Sequence, residues 1–143
     1  AGKAINITKT TGPHALSYGF TTNYGIPHGH AVALFLPFFI NFHKNIDRES
    51  VSDIRGHAFV LAKMKNIAEI LSINYDNMES EIIKLLTELG IQINFIKLKI
   101  NEKDFLNTLK GINHDRLKNN PRFLVDKDLM DIYTFNTSLD YID

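Results

Sequence analysis

The feature that most narrows the fold is the run Ala31 to Ile40, AVALFLPFFI, ten residues with no polar side chain. A membrane-crossing helix needs about 20 such residues, so this run is half a span. A helix from about His28 to His43 around it is apolar on every side, and such a helix belongs inside a core. The chain must therefore wrap other elements around this segment. At 143 residues with 44% hydrophobic composition, it has enough material for one such core and buries roughly two-thirds of its unfolded surface. A disordered tail and a disulfide mini-protein are both excluded.

The flanking pattern predicts helices. Ala1, Ala4, Ile5 and Thr8 fall at helical spacing over Ala1 to Lys9, before Thr10-Thr11-Gly12-Pro13 interrupts. Thr11 is placed to cap a second helix from about Pro13 to Thr22, and Asn23 to Pro27 reads as a turn. Beyond the apolar segment, the spacing predicts a long helix over Ser50 to Ile73 and another from Met78 to Leu89, stopped at Gly90. Ile91 to Ile100 alternates and reads as an extended linker or a short strand. Asn101 caps a helix through Leu109, with Glu102 and Asp104 favoured by the dipole at its start. A last helix opens at Val125 or Asp126 and runs to about Asn136. Seven or so helices with short connections make a single all-α domain over 1–143.

The 16 Lys+Arg balance the 16 Asp+Glu, which argues against nucleic acid or an anionic membrane as partner. That balance is uneven along the chain. No acidic residue precedes Asp47, while His14, His28, His30 and His43 all do. With no Cys, any metal site is left to His, Asp and Glu. No secretory signal pattern is present, so a cytoplasmic protein is expected. The first residue, Ala1, enters directly into a patterned segment, and a truncated chain is expected.

His14 and His28 carry the sharpest chemical signal, since they open consecutive helices joined by a hairpin-like turn. Converging imidazoles suit Fe, Zn and similar ions. Two His are not a complete site, because catalytic ions usually take three or four protein ligands including a carboxylate. From spacing alone, hydrogen-bonded core histidines remain the alternative. His28 and His30 point about 200° apart on a helix. His43 and His57 read as surface or boundary residues, and His114 as a solvated turn residue.

The stretch from Ala1 to Asn41 resembles the metal-binding segment of the iron-containing (group III) alcohol dehydrogenases. The matching residues are His14 and His28, separated by thirteen residues, with Pro27 and Gly29 flanking His28, and the apolar helix Ala31 to Asn41. Asn120-Pro121-Arg122, Asp128-Leu129 and Ile132-Tyr133 resemble the family's C-terminal pattern. The resemblance implies an oxidoreductase acting on a small alcohol or aldehyde, with NAD or NADP bound by an N-terminal α/β domain and this chain as most of the C-terminal helical domain. It implies a divalent ion, Fe or Zn, with His14 and His28 as two ligands and an Asp and a His upstream of Ala1 as the others. The fragment alone is then expected to be inactive.

Many members carry another His four residues after the first ligand, where this chain has Tyr18. A phenol there can relay a proton, though with a pKa near 10 it does not titrate at neutral pH; simple packing is the alternative. The run Ile5 to Thr11 resembles the branch that includes phosphonoacetaldehyde reductases, which implies Lys9 with Thr10 or Thr11 as contacts for an anionic substrate group. A solvated Lys9 is the plainer reading.

Two rivals stand beside this assignment. Dehydroquinate synthase-like lyases share the architecture, and His28-Gly29-His30-Ala31-Val32 resembles one of their runs; Gly12 to Tyr18 does not match their Gly-His-Thr-x-Gly-His stretch. The other is a non-enzymatic helical interaction module. An open apolar seam on the first three helices makes homo-oligomers an expectation.

Overall fold

The computed structural model describes residues 2–112 and 114–139, without the side chains of Ile5 and His114. It is all-helical, with α1 (Gly2–Ile5), α2 (Gly12–Tyr24), α3 (His28–Ala33), α4 (Leu36–Lys44), α5 (His57–Leu71), α6 (Met78–Glu88), α7 (Glu102–Leu109), α8 (His114–Leu117) and α9 (Asp126–Ser138). Among the described residues there is no strand, only an isolated antiparallel bridge between Val51 and Arg122. No described helix is long and apolar enough to cross a membrane.

The apolar run does form the centre. Ala31, Leu34 and Phe35 are fully buried, and Phe39 nearly so. Phe35 meets Phe20 of α2 edge-on at 5.0 Å between ring centroids, and Phe20 also contacts Phe95 at 5.9 Å and Phe105 of α7 at 6.0 Å. Edge-to-face and offset ring pairs add about 1 kcal/mol each to the area they bury.

The single helix expected over His28 to His43 is two. Pro37 has no N–H to donate to the carbonyl four residues back, so the helix breaks at Leu34 and Phe35 and restarts with Pro37 in the first turn of α4. Buried Asn136 of α9 caps the break, its Nδ2 donating to Leu34 O at 2.8 Å and Ile93 O at 2.9 Å.

The helix expected from Ser50 starts only at His57, behind Gly56 at φ 83°. Residues 50–53 spend their backbone groups on the 120–123 segment instead. Ser52 N donates to Pro121 O at 3.0 Å and Phe123 N to Ser50 O at 2.9 Å. Ile54, which falls inside that expected helix, is completely exposed.

The first helix ends at Ile5 rather than Lys9, with Ile7 N and Thr8 N both turning back to Ala4 O. Ile91 to Ile100 forms no strand; residues 91–94 carry no regular structure and 95–99 fold into turns, and the segment buries Ile93, Phe95 and Ile100.

Other boundaries fall close to expectation. Thr11 is the N-cap residue of α2, though its side chain makes no capping bond. Asn101 Oδ1 accepts from Asp104 N at 2.9 Å. Val125 N donates to the Asp128 carboxylate at 2.8 Å, fixing the start of α9. The expectation for the His114 side chain lies outside the described residues. Large exposed apolar side chains gather on α5 and α6, at Ile67, Ile70, Leu71, Leu85 and Leu89. Helices α1 to α3 contribute Tyr18.

Candidate active site

The return of the chain after α2 builds the site. Gly25 adopts φ 66°, a left-handed conformation that closes α2 with its N–H bonded to Thr21 O. Ile26 and Pro27 then run extended, Pro27 at ψ 138°. The three residues Gly25 to Pro27 span at most roughly 10 Å, against a helical rise of about 1.5 Å per residue, enough to carry His28 back beside the middle of α2. The turn expected at 23–27 is present but shorter, confined to Gly25 to Pro27, because α2 continues to Tyr24.

His28 lands on the face of α2 that holds His14 and Tyr18, four residues apart and hence neighbours on one side of the helix. The His14 and His28 ring centroids are 5.4 Å apart, edge to face, and Tyr18 lies 5.2 Å from His28. His28 is exposed, His14 partly buried, and Tyr18 44% exposed.

The surroundings of His14 favour its neutral form. Burial first, then the charges of His28 and Arg116, pull the His14 pKa below its ordinary value. Ser17, fully buried between the two, donates its single hydroxyl proton to His14 O at 2.9 Å. Its oxygen lies 3.5 Å from His28 Nδ1. With that proton already committed, the Ser17 oxygen is an acceptor toward Nδ1–H, which favours the tautomer leaving the His28 Nε2 lone pair open. Imidazole nitrogens bind Zn-like ions at roughly 2 Å, and the ring separation leaves room for one ion between them. The residues therefore fit half of a metal site. Among the described residues no three His, Cys, Asp or Glu side chains gather to complete one.

Arg116 of α8 was not marked by any sequence pattern. Its guanidinium lies over the Tyr18 ring at 4.5 Å. Together they line a cavity of about 210 Å³ with Ala15, Gly19, Thr108 and Ile112. α2 and α7 meet closely there, and a Cβ on Gly19 would sit 2.5 Å from Thr108 Cγ2.

Lys9 and Thr11 are placed elsewhere. They line a second, larger hollow of about 470 Å³ with His43, Phe59, Lys63 and Met64, and neither His14, His28 nor Tyr18 is among its walls. His43 is a structural residue. Its Nε2–H donates to Asn120 Oδ1 at 3.0 Å, and burial, with Arg122 nearby, pushes its pKa down to about 4 against the raising effect of that bond. Buried Asn120 also accepts from Gly12 N at 3.4 Å and donates to Arg122 O at 2.8 Å, and Ser52 Oγ bonds to its carbonyl. Arg122 stacks on Phe42 at 4.0 Å and donates to Phe42 O at 2.8 Å. His30 turns away from His28, as the helical wheel requires, and bonds to Gln92 O.

Comparison with known proteins decides the family. Residues 1–137 match the family model described as Fe-containing alcohol dehydrogenase family, C-terminal. The chain belongs to the iron-containing alcohol dehydrogenase family. Among solved structures it resembles the NAD+ complex of a sulfoacetaldehyde reductase from Bifidobacterium kashiwanohense, with a TM-score of 0.70 and 27% identity over 92% of this chain. The match covers 32% of that reductase's chain, so the present chain spans about a third of its length. No curated protein sequence matches. The iron-containing alcohol dehydrogenases are oxidoreductases, and the all-α arrangement found here is that of their C-terminal domain.

Proposed function

We propose that this chain is the metal-binding helical domain of a cytoplasmic, NAD(P)-dependent alcohol dehydrogenase or aldehyde reductase, with its nucleotide-binding α/β domain outside these 143 residues. The observation that carries the proposal is the convergence of His14 and His28 at 5.4 Å, at the two positions that resemble family ligands. When bound, a divalent ion supplies Lewis acidity that polarises a carbonyl or stabilises an alkoxide beside a nicotinamide.

The chain's own residues do the rest. His14 and His28 offer two imidazole nitrogens side by side, and Ser17 orients His28. Tyr18, a turn beyond His14, carries a phenolic hydroxyl that can pass a proton toward a reacting oxygen. Lys9 with Thr11 offers a cation and a hydroxyl to an anionic substrate group, from the separate larger hollow.

The test is His14→Ala and His28→Ala in the full-length protein, with metal content and NAD(P)-linked turnover both measured. Each variant is expected to lose bound metal and turnover together, with the fold intact by circular dichroism. Unchanged metal content and turnover in both variants would overturn the assignment. The 143-residue chain alone is expected to show no dehydrogenase activity.

A further inference from the structure

We propose that the outer face of α5 and α6 is the seam of a two-fold dimer, and that its occupant is the same face of a second copy of this chain.

Helical spacing builds both halves of the contact. On α5, Lys63, Ile67 and Ile70 fall at i, i+4 and i+7 and form one ridge. Val60, Met64 and Ala68 fill the inner face of that helix, so the ridge is turned outward, with Ile70 81% exposed. On α6, Glu81, Leu85 and Glu88 repeat the same spacing beside the buried Met78, Ile83 and Leu86. A groove of about 280 Å³ joins the two helices, with Leu71, Ile73, Ile82 and Leu85 as its apolar lining. Glu81, Lys84 and Glu88 complete it.

Charge decides which occupant fits. Among the described residues neither Glu81 nor Glu88 has an ion pair. Lys84 stands between them on α6 and offsets one of the two charges, so the groove stays negative. The ridge on α5 is apolar with a cation at one end, the Lys63 ammonium, which rests over Phe59 at 5.3 Å. A second copy laid with α5 across the groove sets Ile67 on Leu85 and Lys63 beside a glutamate. That pairing holds for either direction of crossing, because both stripes have the same spacing.

A two-fold interface requires one patch that contains both a feature and its complement. This patch does, since α5 supplies the ridge through Ile67 and Ile70 and a groove wall through Leu71. The two-fold axis therefore passes the last turn of α5, where the two Ile70 side chains come close. The remainder of the protein has another face to meet. α2, which carries His14, packs on α3, α7 and α8, whereas α5 and α6 rest on α4.

The patch is small. A standard interface takes about 20–30 residues from each side, and α5 and α6 have 15 and 11 residues with their buried faces turned inward. Reversible association with a dissociation constant in the micromolar range follows.

The experiment uses the full-length protein in sedimentation velocity, over a range of about 1–200 µM that brackets such a constant. Wild type should gain one association step across that range. Ile70→Glu and Leu85→Glu should each weaken the step about 30-fold, the loss expected for a central apolar contact, with circular dichroism and bound metal unchanged. Lys63→Glu should weaken it about tenfold by setting like charges together. Adding Glu81→Lys and Glu88→Lys to Lys63→Glu should restore it, which no general loss of solubility would do. Under mild oxidation Ile70→Cys should form an intermolecular disulfide, whereas Ile54→Cys, equally open to solvent but on the loop before α5, should not.

A full-length protein that shows no association step would overturn the proposal, as would a step that none of these substitutions moves. Failure of Ile70→Cys to cross-link, or cross-linking no better than that of Ile54→Cys, would also overturn it. An Ile70→Cys thiol shielded from a maleimide reagent in the monomer would give the face to another part of the same protein and overturn the second copy as its occupant.

Discussion

Two histidine environments within the first 43 residues do opposite things. His14 and His28 meet edge to face at 5.4 Å, with His28 exposed and the Ser17 oxygen beside its Nδ1. His43 is packed between Phe39 and Phe42, at 5.7 Å and 5.9 Å, and commits its N–H to Asn120. In the proposed function the pair holds a metal ion, whereas the other ring ties α2, α4 and the 120–123 segment together. Residue type is the same in both, so the difference lies in what fills the space around each ring.

The comparison can be broken most sharply at Asn120. Its side chain serves Gly12 N, His43 and Arg122 O at once. Asn120→Ala leaves two donors buried without partners and should cost about 4 kcal/mol in urea unfolding. The folded fraction should still bind metal through His14 and His28. If stability were unchanged and metal lost, the roles assigned to the two regions would be exchanged.

Next in size is a pH effect. An unfolded His takes up a proton near pH 6.5, whereas folded His43 resists until about pH 4. As pH falls, the unfolded state is protonated first, so stability is full above about 6.5, declines toward 4, and loses nothing more from this group below that. The decline attributable to His43 is about 3 kcal/mol. Chemical denaturation of His43→Gln at several pH values should show a flatter profile over this window; a slope equal to wild type would remove His43 as its source.

The smallest effect sharpens the other region. Ser17→Ala removes the acceptor beside His28 Nδ1 and should weaken metal affinity about tenfold with a modest change in stability. Equal affinity in competition with a chelator would show that Ser17 only packs.

Much of this was legible in advance. The starts of α7 and α9 follow from Asn101 and Asp128, because a cap acts within a few residues. Gly90 stops α6 for the same local reason. The Ser50 to Gly56 segment has the apolar spacing of a helix but does not form one, because its backbone partners lie about 70 residues away, in Pro121 and Phe123. Likewise Pro37 was counted within one helix, although the loss of its N–H, together with the Asn136 cap, splits the segment in two. At the site, His14, Tyr18 and His28 could be named from spacing and resemblance. Arg116 and Ser17 could not, since neither carries a pattern of its own.

The sequence by itself determined an all-helical domain around an apolar centre, and which two histidines were the candidates. Helical periodicity and a concentration of imidazoles are properties of neighbouring residues, and such properties survive without coordinates. Tertiary structure alone decided which histidine is buried and which is open, that Lys9 and Tyr18 serve different hollows, and that a guanidinium from the far end of the chain lies over Tyr18. Those outcomes depend on contacts between residues distant in sequence, whose geometry only packing can set.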